Sequence, residues 1–215
     1  MRSIRRSIAL AATVAAVLSL NMGGAGLGSA HAVVTTLCKA PQETCEVANR
    51  VASGTILAMS STQVNFLNTI SNVSCTSSAF KAVTEGVTGE PLPAKISTAN
   101  APTYGGCKTA SGTNCTVTAV NAPYNVKIAW VFANSGTFTV ESGGAGAPGV
   151  DVKCGLIIDC RFRGTVAYTM KGGNPASIEV TGAALEAEGL VCPKEVAYGA
   201  AYGVDSPKPL YVAHT

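Results

Sequence analysis

Residues 161–171 read Arg-Phe-Arg-Gly-Thr-Val-Ala-Tyr-Thr-Met-Lys, and their polarity alternates with period two. Phe162, Val166, Tyr168 and Met170 share one face, and Arg161, Arg163, Thr165, Thr169 and Lys171 the other. Successive side chains of an extended chain point to opposite sides, so this stretch reads as a strand with one buried and one wet face. Gly172-Gly173-Asn174-Pro175 ends it. The same pattern recurs on both sides. Val126, Ile128, Trp130 and Phe132 face one way, with Lys127, Ala129 and Val131 opposite. Phe138 and Val140 then alternate with Thr137, Thr139 and Glu141, and the intervening Asn134-Ser135-Gly136 reads as a hairpin turn. Ile178 and Val180 alternate with Ser177, Glu179 and Thr181, and Val196, Tyr198 and Tyr202 with Glu195 and Gly199.

From Val33 onward no window holds a sustained i, i+3, i+4, i+7 apolar stripe, although Glu43 to Val51 has the composition of a helical turn. The expected fold is therefore all-β, a disulfide-stapled antiparallel β-sandwich or barrel of about ten short strands. Breakers fall at 86–93, 101–106, 143–149, 172–175 and 206–209. The glycine-rich run Gly143 to Gly149 reads as a long loop or a linker. Strand patterning and cysteines continue on both sides of it, so one β-sandwich-like domain over 33–215 is expected.

Residues 1–32 read as an export signal. Arg2, Arg5 and Arg6 give a positive start, and Ile8 to Leu20 form an apolar run of 13 residues broken by Thr13 and Ser19, too short to span a bilayer. Ala30-His31-Ala32 offers small residues at the two positions a signal peptidase requires, so cleavage after Ala32 is expected. The product would be secreted or held at the cell surface, with no transmembrane helix in the mature chain. Removing the three arginines leaves twelve basic against twelve acidic residues. With a formal charge of zero, a nucleic-acid-binding surface driven by net charge is excluded.

All eight cysteines, Cys38, Cys45, Cys75, Cys107, Cys115, Cys154, Cys160 and Cys192, follow the signal, an even number bound for an oxidising compartment. Eight half-cystines can pair in many ways. Three pairs are close in sequence, Cys38/Cys45, Cys107/Cys115 and Cys154/Cys160, which leaves Cys75 with Cys192 as the expected long bridge. A zinc site is not expected, because no C-x-x-C is present and the mature chain has one histidine, His214.

Catalytic constellations are sparse. Serine or cysteine nucleophiles need a histidine relay, and His214 lies at the chain end, where an exposed tail residue is expected. No G-x-S-x-G is present, and the glycine-rich run lacks the Lys-Ser/Thr of a phosphate cradle. Glu186 and Glu188, two apart on one strand face, are the one carboxylate pair with glycosidase-like spacing. Arg161 and Arg163 have the same spacing, so the alternative is a cross-strand set of two cations against two anions. Asp151 and Asp159 flank the 154–160 segment as turn formers or weak calcium ligands. Trp130, Phe162, Tyr168, Tyr198 and Tyr202 fit core positions or the lining of an apolar or carbohydrate cleft, whereas Tyr104, Tyr124 and Tyr211, in or beside loops, are candidates for an exposed recognition patch. Asn72-Val73-Ser74 and Asn114-Cys115-Thr116 are glycosylation sequons.

At Cys38-Lys39-Ala40, Cys45, Ser53-Gly54-Thr55, Asn72-Val73-Ser74-Cys75, Gly106-Cys107, Cys115-Thr116-Val117-Thr118-Ala119, Cys192-Pro193 and Pro209-Leu210-Tyr211-Val212, the chain resembles a group of small secreted actinobacterial proteins of unassigned function. More distantly, Cys115 to Pro123 is similar to secreted activators of alkane oxidation. Neither resemblance implies a catalytic residue or a cofactor, and the larger cysteine count departs from the second group. The expectation is a secreted or envelope-associated, non-catalytic β module acting through surface interaction with a protein or envelope component. The alternatives are a cleft binder of a small apolar or carbohydrate ligand and a glycosidase-like enzyme using Glu186 and Glu188.

Overall fold

In the computed structural model, residues 33–67, 72–189 and 191–215 are described. The expected signal, with Arg2, Arg5, Arg6, Ala30 and Ala32, lies outside them. The strands are β1 (Thr35–Cys38), β2 (Ile56–Ser61), β3 (Val64–Leu67), β4 (Val73–Cys75), β5 (Ser77–Thr84), β6 (Thr88–Gly89), β7 (Leu92–Ile96), β8 (Thr103–Gly105) and β9 (Lys108–Thr109). They continue with β10 (Cys115–Val120), β11 (Tyr124–Phe132), β12 (Ser135–Ser142), β13 (Gly149–Cys154), β14 (Ile158–Arg163), β15 (Val166–Lys171), β16 (Ser177–Glu188), β17 (Glu195–Ser206) and β18 (Tyr211–His214). A 3-10 turn at Val47–Asn49 fills the place where a helical turn is expected.

Eight strands close an antiparallel barrel in the order β16, β15, β12, β11, β7, β5, β2, β17, with β16 pairing β17 to complete the ring. Closure pairs the edges of the ring strands, and a set of short alternating strands achieves it without helices. Two ring strands outrun the barrel. β16 and β17 each have 12 residues and pair along most of their length. Their outer partners change midway. β16 pairs β15 at Ser177–Glu179 but β14 at Glu186–Glu188. β17 pairs β2 at its end and β3 at Ala197–Ala200. The ladder slips between Val180 and Ala183, where Gly182 takes φ +70°, a conformation glycine adopts without steric cost. Beyond the slip, β14, β13 and β10 extend the sheet on one side and β3, β4 and β9 on the other.

The sequence pattern places side chains better than it places strand ends. Phe162, Val166, Tyr168 and Met170 are all buried, as alternation predicts. The 161–171 stretch is nevertheless two strands, interrupted at Gly164-Thr165, with β14 in the extension and β15 in the barrel. A two-residue interruption preserves parity, so alternation alone does not reveal it. In β11, Val126 and Ile128 are buried, but Phe132 is 64% exposed because the ladder to β12 slips between Trp130 and Phe132. The hairpin turn itself is Ala133-Asn134, one position earlier than expected. Both residues have positive φ, the signature of the two-residue turn that suits twisted antiparallel strands. Eighteen strands among the described residues exceed the expected ten or so, because several two- to four-residue strands are too short to show a period.

A three-stranded sheet, β18-β1-β6, brings the two ends of the described fold together. Its Leu37 and Val212, with Leu210 just before β18, join the main core. Gly136 allows this approach, since a Cβ there would lie 2.9 Å from a Val212 methyl and 2.4 Å from the Ala129 carbonyl oxygen. The Trp130 amide also donates to Thr35 Oγ1 at 2.8 Å. The run 143–149 joins β12 of the barrel to β13 of the extension, and the described residues form one compact unit. Among them, no helix is long and apolar enough to cross a membrane.

All eight cysteines are in disulfides, but only one expected pairing occurs, Cys38–Cys45. The other bridges are Cys75–Cys107, Cys115–Cys154 and Cys160–Cys192. Strand register explains the correction. Cys154 faces Ile158 and Cys160 faces Val152 across the β13–β14 hairpin, so the two cysteines sit on a diagonal about 7–8 Å apart, beyond disulfide reach. Cys115 lies directly opposite Cys154 in the β10–β13 ladder and takes it instead. Cys107 then bonds Cys75, at the end of β4 beside β9. The Cys192 loop folds over β14, leaving Cys160 as its partner.

Candidate functional site

Where β16 and β17 leave the ring, the barrel end opens into a cavity of about 50 Å³. Phe66 from β3, Val166 from β15 and Leu185 from β16 form apolar walls, and Tyr104, Tyr168 and Tyr198 supply hydroxyls. None of the described residues lining it is Lys, Arg, His, Asp or Glu. The walls combine inward positions of the barrel with residues from β3, β8 and β13, so the cleft exists because two long strands belong to both parts.

The tyrosines form an edge-to-face cluster. Tyr168 meets Tyr198 and Tyr202 with ring centroids 6.4 and 6.2 Å apart, and Phe80 meets Tyr202 at 5.0 Å. Such arrangements set the positive ring edge against the negative face. A hydroxyl chain runs through the cluster: Ser78 Oγ to Tyr202 at 3.0 Å, Tyr202 to Tyr198 at 3.2 Å, and Tyr198 to Tyr168 at 3.2 Å. Burial is the main cause that pushes Tyr104, Tyr168, Tyr198 and Tyr202 above the ordinary phenol range. Burial also raises Tyr124 to about 12. At neutral pH these groups are phenols, able to donate or accept a hydrogen bond but not to act as phenolate bases.

The aromatic assignments divide on this evidence of burial. Phe162, Tyr168, Tyr198 and Tyr202 are core, and Tyr168 and Tyr198 also line the cleft. Tyr124 is 2% exposed and its hydroxyl donates to the Val120 carbonyl at 2.6 Å, which corrects its expected place on an exposed patch. Tyr104 is half-buried against the core, and Tyr211 packs beside Cys38–Cys45. Adjacent breakers, Pro123 and Gly105-Gly106, made these tyrosines look like loop residues, but long-range pairing buries them.

The carboxylate candidates lie elsewhere. Glu186 and Glu188 are on the exposed face of β16, and neither lines the cleft. In register, Arg161 faces Glu188 and Arg163 faces Glu186, the arrangement expected of a charged cross-strand set. The side chains choose other partners: Arg163 reaches diagonally to Glu188, and Arg161 turns to Asp151, directly opposite it in the β13–β14 ladder. Arg163 Nη1 lies 3.1 Å from Glu188 Oε1, and Arg161 binds Asp151 through two hydrogen bonds. The Arg161 guanidinium beside Asp151 holds its carboxyl below the usual range. Asp151 and Asp159 are strand residues rather than turn formers, and Asp159 pairs with Lys153 at 3.3 Å. Among the described residues, no cluster of three or more His, Cys, Asp or Glu could hold a metal.

His214 is not a tail residue. It pairs with Thr35 in the β1–β18 ladder, its ring stands edge-on to Trp130 at 4.8 Å, and its carbonyl accepts from the Cys45 amide. The Thr44 hydroxyl lies 3.4 Å from Nε2. This arrangement fixes the imidazole as part of the terminal sheet.

The two most exposed large apolar side chains among the described residues are neighbours in one turn. Leu156 and Ile157, at the β13–β14 turn, are 105% and 78% exposed, and Val191 in the β16–β17 loop is 51% exposed. Both hairpin legs are stapled to neighbours, through Cys115–Cys154 and Cys160–Cys192. The sequence reading missed this tip, although two adjacent aliphatics between turn residues are visible at Gly155-Leu156-Ile157. Comparison with protein-family models, curated proteins and solved structures finds no match to this chain.

Proposed function

We propose that this chain is an exported, disulfide-braced β-barrel protein that acts by binding, with the barrel-end cleft as the site for a small apolar ligand. The observation that carries this reading is the cavity at the barrel mouth, apolar in its walls, without a charged side chain among its described lining residues, and with tyrosines among them. Ligand sites favour such concave places, where apolar walls supply affinity and a few polar atoms fix orientation. Four disulfides and the apolar segment ending at Ala30-His31-Ala32 support export. Binding is favoured over catalysis because the glutamate pair stands on an exposed face, the cysteines are oxidised and His214 is built into a sheet. The test is a melting screen of the purified mature protein against small hydrocarbons, alcohols, ketones and sugars, read together with tyrosine ring resonances. Apolar probes should raise Tm and shift Tyr104, Tyr168 and Tyr198, since a ligand that binds only the folded form stabilises it. Failure of every small probe would remove the cleft reading.

A second reading, contact with a protein or envelope component, is favoured by exposed Leu156 and Ile157 on the stapled hairpin tip and exposed Val191 in the β16–β17 loop. Leu156→Asp with Ile157→Asp should abolish retention on cell envelopes while leaving Tm unchanged. Equal retention of variant and parent would exclude the tip.

A further inference from the structure

The hydroxyl chain does not balance within itself. Ser78, Tyr202, Tyr198 and Tyr168 bring four O–H protons to three hydroxyl contacts. Any unbranched or branched chain of hydroxyls has one fewer link than members, and each link uses one proton. One donor is therefore left over whichever way the protons are arranged. Tyr104, on the wall of the same cleft, brings a further hydroxyl proton. Among the described residues, no further acceptor contacts these oxygens. The hydroxyls of Tyr104, Tyr168 and Tyr198 belong to residues lining the cleft, so the spare proton has a place to be used there.

From this geometry we infer the chemical class of the ligand: a neutral, largely hydrocarbon molecule carrying one acceptor oxygen, as in a ketone, ether or simple alcohol. The inference rests on the cleft being a binding site. The spare phenol proton donates to the oxygen, and Phe66, Val166 and Leu185 contact the hydrocarbon. A carboxylate or ammonium would lose its hydration without meeting a countercharge, because among the described residues no side chain of opposite charge lines the walls. A sugar would bring several hydroxyls against largely apolar walls and leave most of them unpaired. The cavity of about 50 Å³ is open on one side, so a larger hydrocarbon can extend through its mouth.

The experiment titrates the mature protein with three matched probes, cyclohexanone, methylcyclohexane and cyclohexanecarboxylate, and follows Tm and the ring resonances of Tyr104, Tyr168 and Tyr198. Cyclohexanone should bind about tenfold more tightly than methylcyclohexane, the value of one well-made hydrogen bond. The carboxylate should bind at least as weakly as the hydrocarbon. The triple variant Tyr104→Phe, Tyr168→Phe, Tyr198→Phe keeps the shape and should erase the preference for the ketone while retaining methylcyclohexane binding. The comparison within the unaltered protein stands even where that variant does not fold. Equal binding of ketone and hydrocarbon overturns the acceptor inference and leaves the cleft reading intact. Tighter binding of the carboxylate overturns neutrality, and no binding by any probe overturns both.

Discussion

Tyr198 joins three other residues of the core: its hydroxyl contacts those of Tyr168 and Tyr202, and its ring lies 5.3 Å from Phe66. Tyr198→Phe keeps the ring but cuts the hydroxyl chain and leaves two buried phenols short of a partner. It should lower unfolding free energy by about 1–3 kcal/mol, measured by denaturant titration. The same tyrosines set an alkaline limit. Their folded-state values lie above the free phenol value of about 10, so between these limits the unfolded chain loses protons that the native chain keeps. Stability is fully present below about pH 10 and declines as pH rises through the folded values, Tyr124 reaching its own at about 12. Tyrosinate absorbance should appear together with loss of β-sheet circular dichroism. Ionisation in advance of unfolding would contradict the buried placement. Period-two alternation was enough to assign Tyr168, Tyr198 and Tyr202 to one buried set. It said nothing of their mutual contacts, because those connect β15 and β17, which are not neighbours in the chain.

Hairpins show which local features carry through to structure and which do not. The β11–β12 pair was legible because its two strands alternate around a short polar segment. Its turn contains Ala133 at φ +37°, where a β-carbon is crowded and glycine is not. Ala133→Gly should therefore stabilise the protein by about 0.5–1 kcal/mol, seen as a raised denaturation midpoint with unchanged slope. An unchanged or lowered midpoint would show that the turn is unstrained. The β13–β14 hairpin was harder to read, since cysteines six apart suggested a bridge across its turn. Pairing across a ladder depends on register, which the spacing does not encode, and the register sets the two cysteines on a diagonal. Charges in the same place were more legible, because Arg161, Arg163, Glu186 and Glu188 share the period of their strands and meet in register. The cleft was the least legible feature. It depends on where β16 and β17 change partners, a slip marked in sequence only by Thr181-Gly182.

Across the whole molecule, the corrected bridges distribute constraint more evenly than the expected set. The longest expected loop, Cys75 to Cys192, is absent, and three bridges close sequence separations of 32, 39 and 32 residues. In the loop-entropy account each of these contributes about 4 kcal/mol and the short Cys38–Cys45 bridge about 2.5. Replacing Cys115 and Cys154 together by Ala should thus cost more than replacing Cys38 and Cys45 together, by about 1.5 kcal/mol in denaturant titrations under oxidising conditions. The opposite order would mean that strain or residual structure, rather than loop length, governs these bridges.

Residue 33 and residue 215 emerge side by side, because the first and last strands run antiparallel and the Thr215 amide reaches the Val34 carbonyl at 3.0 Å. A few residues of peptide would therefore splice them, and the backbone could be reopened inside the glycine-rich crossover at 143–147 without breaking a ladder. Such a circular permutant should retain the parental spectrum. It would also turn the β18–β1 junction into an interior hairpin, freeing the crossover to carry a reporter or a fused enzyme.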